Sequence, residues 1–163
     1  HPIKKSIKKI DSKEFEISYV SIGSKVFSKL LAEKGCTSNK SFTLEFPSFI
    51  NEELKSHFIR GYFDGDGSLN FSNITTSYGS RRAYKISILG TESMMNEILK
   101  IVGSDLKARK EGDNNYYTIS LGGNEQVLKL VDFLYKNATV FLDRKKEKAE
   151  ELIEYMNSNP YQK

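Results

Sequence analysis

Asp64 and Asp66, each followed by glycine in Asp64-Gly-Asp-Gly67, are the residues of this chain whose type and spacing point most directly to chemistry. They close a helical stretch, where the dipole disfavours a carboxylate by roughly 0.3–1 kcal/mol unless something positive compensates. A bound divalent cation is one such compensation. A simple helix cap is the plainer one, because Asp-Gly is common turn chemistry. An EF-hand calcium loop starting at Asp64 fails at its sixth position, Leu69 in place of glycine, and at its twelfth, Thr75 in place of glutamate. Only two histidines, His1 and His57, and one cysteine, Cys36, are present, which excludes histidine-cluster nucleases, cysteine zinc sites and an internal disulfide. No Ser-His or Cys-His pair suggests a covalent nucleophile, so catalysis falls to carboxylates and lysines.

The element that positions the acidic turn is a helix of about four turns. Asn51 reads as its N-cap, Glu52 and Glu53 suit its positive end, and Leu54, His57, Phe58, Gly61, Tyr62 and Gly65 recur at helical spacing. Gly61 and Gly65 lie one turn apart, and each costs roughly 0.5–1 kcal/mol against alanine. That cost suggests a place where another backbone comes very close.

Read whole, Ile59-Arg-Gly-Tyr-Phe-Asp-Gly-Asp-Gly67 resembles the signature helix of the LAGLIDADG homing endonucleases, letter for letter in its Gly-x-x-Asp-Gly-Asp-Gly part. The resemblance implies that two such helices pack through Gly61 and Gly65. It makes Asp66, with Gly65 before it, the ligand of Mg²⁺ or another divalent cation at the scissile phosphates, and Asp64 a helix-terminus residue. The implied activity is hydrolysis of double-stranded DNA at a specific site.

The remaining pattern fits that family. Residues 68–75 and 81–88 alternate as strands, Thr91 caps a helix carrying Met94, Met95, Ile98 and Leu99, and residues 106–111 and 116–121 form a hairpin. Val127, Leu130, Val131 and Leu134 mark a further helix, and a charged one begins near Asp143. The order αββαββα implies an α+β fold with a four-stranded antiparallel sheet, helices on one side and a polar, basic face on the other. By resemblance that face lies in the DNA major groove, which makes Asn70, Ser72, Arg81, Lys85, Ser87, Lys107, Arg109, Tyr116 and Thr118 candidate DNA contacts. For any one of them a plain solvated sheet face is the competing explanation.

Residues 1–50 read as a basic strand, a turn, an alternating strand, a helix and a loop with lysine, an order repeated from position 107 onward. The expected organisation is therefore the back half of one repeat over 1–50 and a complete repeat over 51–163. A two-motif protein lacking its first signature helix is the inferred origin; a single-motif chain that pairs with a second copy is the alternative. Either way one Asp of the family's active-site pair is missing from this chain, so cleavage by the isolated chain is expected to be weak or absent. The family's basic partner maps onto Lys145 for the whole repeat and Lys40 for the partial one.

The net charge of +4 suits a polyanionic partner. No apolar run approaches a membrane span, and the single cysteine suggests an intracellular home, cytoplasmic or organellar. A nucleic-acid-binding module that does not cut, as in RNA maturases or transcription regulators of this fold, is the rival function.

Overall fold

A computed structural model describes residues 2–38, 40–77, 79–112 and 116–159, without the side chain of Lys40. The chain divides into two compact units, residues 1–37 and 38–163.

In the first unit, β1 (Lys4–Ile10) and β2 (Lys13–Tyr19) form an antiparallel hairpin. Its two-residue turn holds Asp11 and Ser12 at φ of 47° and 67°, the left-handed pair whose twist suits a tight hairpin. Helix α1 (Lys25–Glu33) follows, capped by the Ser24 hydroxyl, which accepts from the Phe27 amide at 3.2 Å. Every described residue of this unit is exposed. Phe15, Ile17 and Tyr19 on the hairpin and Val26, Phe27, Leu30 and Leu31 on the helix therefore form no core of their own.

The second unit opens with a single 3₁₀ turn (Lys40–Phe42), followed by α2 (Glu52–Asp66), β3 (Ser68–Thr76), β4 (Gly79–Gly90), α3 (Glu92–Ile101), β5 (Arg109–Glu111), β6 (Tyr116–Gly122), α4 (Asn124–Tyr135) and α5 (Asp143–Ser158). The strands make one antiparallel sheet in the order β3-β4-β6-β5. Alternation puts Leu69, Tyr84, Ile86, Ile88, Ile119 and Leu121 on one face. That face is closed by Ile59 and Phe63 of α2, Met94, Met95, Ile98 and Leu99 of α3, Val127, Leu130, Val131 and Leu134 of α4, and Ala149, Leu152 and Met156 of α5. The αββαββα order, the antiparallel sheet and the one-sided helix layer follow the expectation from sequence.

Two details differ, in β5 and in α2. The compact units part at residues 37 and 38, inside the span 1–50 expected for the partial repeat, and residues 38–50 belong to the second unit. The intervening segment packs on the second core: Leu44 and Phe46 lie against it, Phe46 meets Phe58 edge-on at 5.0 Å, and the Leu44 carbonyl accepts from the Thr91 hydroxyl. Strand β5 is three residues long, not six, so Lys107 falls in an irregular approach to the sheet. Before Arg109 the chain lines a groove, where Leu106 stands with Val102, Leu121, Leu130 and Phe133. Finally, α2 turns Ile59 and Phe63 inward, not the stripe through Leu54, Gly61 and Gly65.

Asn124, the first residue of α4, is buried. Its Oδ1 accepts from the Tyr84 amide and its Nδ2 donates to the Arg82 carbonyl, both at 2.9 Å. Strand β6 pairs with β4 only over Lys85–Gly90, so the Asn124 amide continues the ladder where the strand ends. Among the described residues no helix is long and apolar enough to cross a membrane.

Candidate metal and nucleic-acid site

Helix α2 presents two unlike faces. The buried one carries Ile59, Arg60 and Phe63. The other carries Leu54, Gly61 and Gly65, all exposed, and a Cβ built on either glycine meets nothing within 4 Å. Among the described residues no contact requires glycine at either position. Gly67 is the opposite case: a Cβ there would stand 2.1 Å from the Phe63 ring, although its φ of −83° is open to any residue.

The polar residues of α2 fasten the connection between α4 and α5. Arg60 donates from Nε to the Val140 carbonyl at 2.8 Å and from a terminal nitrogen to the Leu134 carbonyl at 3.2 Å. One turn on, Asp64 accepts from the Tyr135 hydroxyl at 2.6 Å and from the Leu142 amide at 3.0 Å. Burial, then the Asp64 hydrogen bond and charge, raise the Tyr135 pKa far above its ordinary value. Asp64 is thus a structural carboxylate, as a helix-terminus residue should be. Neither Tyr135 nor the backbone of Leu142 carries a sequence signal for this role; the i, i+4 spacing of Arg60 and Asp64 is the only trace of it.

Lys145, 3% exposed, reaches back from the first turn of α5 to the C-terminus of α2. Its ammonium donates to the Phe63 carbonyl and, at 2.6 Å, to that of Gly67, and lies 4.6 Å from the Phe63 ring centroid. A cation on the last carbonyls compensates the helix dipole where two aspartates accumulate. Burial, followed by the nearby Arg144 charge, lowers its pKa, while Asp64 and Asp66 push the other way. Two of its three N–H groups are occupied by carbonyls, leaving one. The side chain of Lys40 lies outside the described residues.

Asp66 differs from Asp64 in every respect. It is exposed, and among the described residues it makes no hydrogen bond or ion pair. After burial, its charge is the second cause of the raised Tyr62 pKa. Strand β3 begins at Ser68, so the carboxylate stands where the helix hands over to the sheet. The described residues contain no group of three or more His, Cys, Asp and Glu that could hold a metal ion. The Asp66 carboxylate and the Gly65 carbonyl are hard oxygen donors of the kind Mg²⁺ accepts, and by themselves they are too few to complete its coordination shell.

The sheet face away from the helices carries most of the expected nucleic-acid contacts, with the Phe42 ring 5.3 Å from that of Tyr116 at one end. Cross-strand pairs place Asn70 beside Lys85, Ser72 beside Ala83, Ile74 beside Arg81, and Arg109 beside Thr118. Ser87 pairs with Ser68 and with Ser120, and its hydroxyl bonds that of Ser68 at 2.8 Å. Tyr116 pairs with Glu111, a carboxylate that Arg109 grips at 2.9 Å. Eight of the nine expected residues thus share one face; Lys107 is exposed but lies off the strands. Lys148 of α5, which carries no sequence signal for this contact, donates to the Leu69 carbonyl at 3.1 Å and to Asn70 Oδ1 at 2.8 Å.

No protein-family model and no curated protein matches the chain. Solved structures do. The homing endonuclease I-CvuI in complex with the I-CreI target is 17% identical, with a TM-score of 0.55 over 68% of this chain and 70% of that one. The homing endonuclease I-TnaI is 17% identical, with a TM-score of 0.52 over 65% of this chain and 76% of that one. The I-LtrWI LAGLIDADG homing endonuclease bound to target DNA is 14% identical, with a TM-score of 0.56 over 69% of this chain and 41% of that one. Helix order, sheet topology and these superpositions agree, and the fold of this chain is that of the LAGLIDADG homing endonucleases.

Proposed function

We propose that this chain supplies one half-site of a metal-dependent, site-specific DNA endonuclease. The observation that carries the reading is Asp66: an exposed carboxylate at the negative end of α2, two residues before β3, without a partner among the described residues and next to a glycine that their packing does not require. An ordinary cap would be tied down, as Asp64 is. Asp66 and the Gly65 backbone would hold a divalent cation together with the matching turn of a second signature helix, which would meet α2 at Gly61 and Gly65. That helix comes from a preceding repeat or from another copy of the chain. The bound ion would acidify and orient water and neutralise charge on phosphate oxygens.

The reaction is hydrolysis: water forms a new P–O bond as the bond from phosphorus to the leaving oxygen breaks. Lys145, through the Phe63 and Gly67 carbonyls, would fix the turn that presents Asp66. Asn70, Ser72, Arg81, Lys85, Ser87, Arg109, Tyr116 and Thr118 would face base edges and phosphates, making affinity fall as salt rises. Lys107 would reach a phosphate from outside the sheet. A binding module that does not cut is the second reading, favoured by the presence of one acidic turn where cleavage would need a matching pair.

The test uses the chain alone and the chain joined to a complete preceding repeat, each incubated with a plasmid library in Mg²⁺ and in Ca²⁺. Double-strand cleavage in Mg²⁺ that Asp66→Asn abolishes while binding persists is the expected result. Salt-dependent binding without cleavage in the joined protein identifies the module instead.

A further inference from the structure

Asn70 is held in one orientation by a residue from the helix layer. Lys148 rises along the free edge of β3, where its ammonium donates to the Leu69 carbonyl at 3.1 Å and to the Asn70 side chain at 2.8 Å. An ammonium can only donate, so the amide atom facing it must be the oxygen. The ambiguity that usually attends an asparagine side chain is thereby resolved by chemistry. The Nδ2 group is the other arm of the planar amide, and among the described residues it has no partner. Asn70 alternates with the inward Leu69 and the half-turned Phe71, so this amide belongs to the open face, directly across the ladder from exposed Lys85.

We propose that Lys148 is a positioning residue that makes Asn70 a hydrogen-bond donor toward the bases, and that Asn70 and Lys85 together select guanine in the bound strand. This rests on the DNA-binding reading above. A free asparagine suits adenine, accepting from N6 while donating to N7. With Oδ1 engaged by Lys148, the acceptor half of that pairing is compromised. Two adjacent donors, the Asn70 amide and the Lys85 ammonium, instead match the N7 and O6 acceptors of guanine in the major groove, whereas cytosine offers a donor there and is rejected. Asn70 is four residues from Asp66, at most about 13 Å along the chain even if fully extended, so the base concerned lies near the proposed cleavage centre.

The test profiles duplexes selected from a randomised pool by the whole chain, joined to a preceding repeat where the chain alone binds too weakly, in parallel for wild type, Asn70→Ala, Lys148→Met and Lys148→Arg. Wild type should enrich guanine at one position and deplete cytosine there about fivefold or more. Asn70→Ala should flatten that position alone. Lys148→Met should keep overall affinity within about tenfold, the loss of one cation, yet shift the position toward adenine and readmit cytosine. Lys148→Arg, which keeps a donor, should restore the wild-type profile. In the free protein, Lys148→Met should also move the ¹⁵N–¹H₂ resonances of the Asn70 amide, a readout independent of DNA. An unchanged base profile in Lys148→Met, or an unmoved Asn70 amide, overturns the proposal while leaving DNA binding intact; absence of salt-dependent binding to any duplex overturns the DNA-binding reading and this inference with it.

Discussion

The two hairpin-and-helix pieces of this molecule share an order but not a fate. In β5–β6–α4 the helix stripe is sealed, with Val127 and Val131 at 0% exposure; in β1–β2–α1 the corresponding stripe is open, with Val26 at 71% and Leu30 at 53%. Both helices are amphipathic to a similar degree, and both follow a strand that alternates. The difference is company. Helix α4 has a four-stranded sheet and three other helices to close on, whereas the first unit has a two-stranded ribbon, which is marginal by itself. Amphipathicity is a property of a segment; a core is a property of an assembly.

The strongest way to break this comparison is to separate the units. Residues 38–163 should unfold cooperatively in urea, with a sharp loss of circular dichroism, while residues 1–37 alone should show no cooperative transition at any concentration of denaturant. A rigid, cooperatively folding 1–37 peptide would refute the contrast.

Paired truncations sharpen it. Leu134→Ala, at 1% exposure, should cost about 2–5 kcal/mol in denaturant unfolding. Leu30→Ala, half-exposed on α1, should change stability by about 0.5 kcal/mol or less. Equal effects would mean that the first unit is covered in solution.

Tyr135→Phe tests the fastening of α2 to the α4–α5 connection. It removes a hydrogen bond to a charged carboxylate, which costs about 1.5–3 kcal/mol. It should also change the alkaline limb. Because the folded-state pKa of Tyr135 is raised, its contribution is fully present below the unfolded tyrosine value of about 10 and lost as pH climbs above it. Urea midpoints measured on either side of that value should fall less steeply in Tyr135→Phe than in wild type. The first unit, whose helix makes no such tie, should be unaffected.

Asp66→Asn should produce the smallest change in stability, about 0.5 kcal/mol or less, since the carboxylate is exposed and without a protein partner. Asp64→Asn should be clearly worse in the same urea unfolding, because its two donors lose an anion. The comparison of two aspartates two residues apart thus separates scaffold from chemistry.

What the sequence made legible follows from which interactions are local. Helices α3 and α4 and their buried stripes, the alternation of β3, β4 and β6, and the open face shared by Asn70, Lys85 and Thr118 all follow from period and cap. Period misled at α2, because both faces carry large apolar residues, and spacing cannot say which one its own chain covers. Phe58 and Tyr62 are half-buried against Phe46 and the Leu89 carbonyl, while Ile59 and Phe63 take the core. The position of Lys145 was legible but not its engagement: contacts to the carbonyls of Phe63 and Gly67 span about eighty residues of chain and leave no local pattern. Lys148 was invisible for the same reason.

The three glycines around the acidic turn sort themselves by what they answer to. A library randomised at positions 61, 65 and 67 and screened only for a folded, protease-resistant chain should return glycine at 67 almost without exception, since the Phe63 ring occupies the space a side chain would need. At 61 and 65 the same screen should accept alanine and serine freely. A demand for glycine at those two positions would have to come from something other than the packing of the described residues, and comparing this screen with one for function would show where it acts.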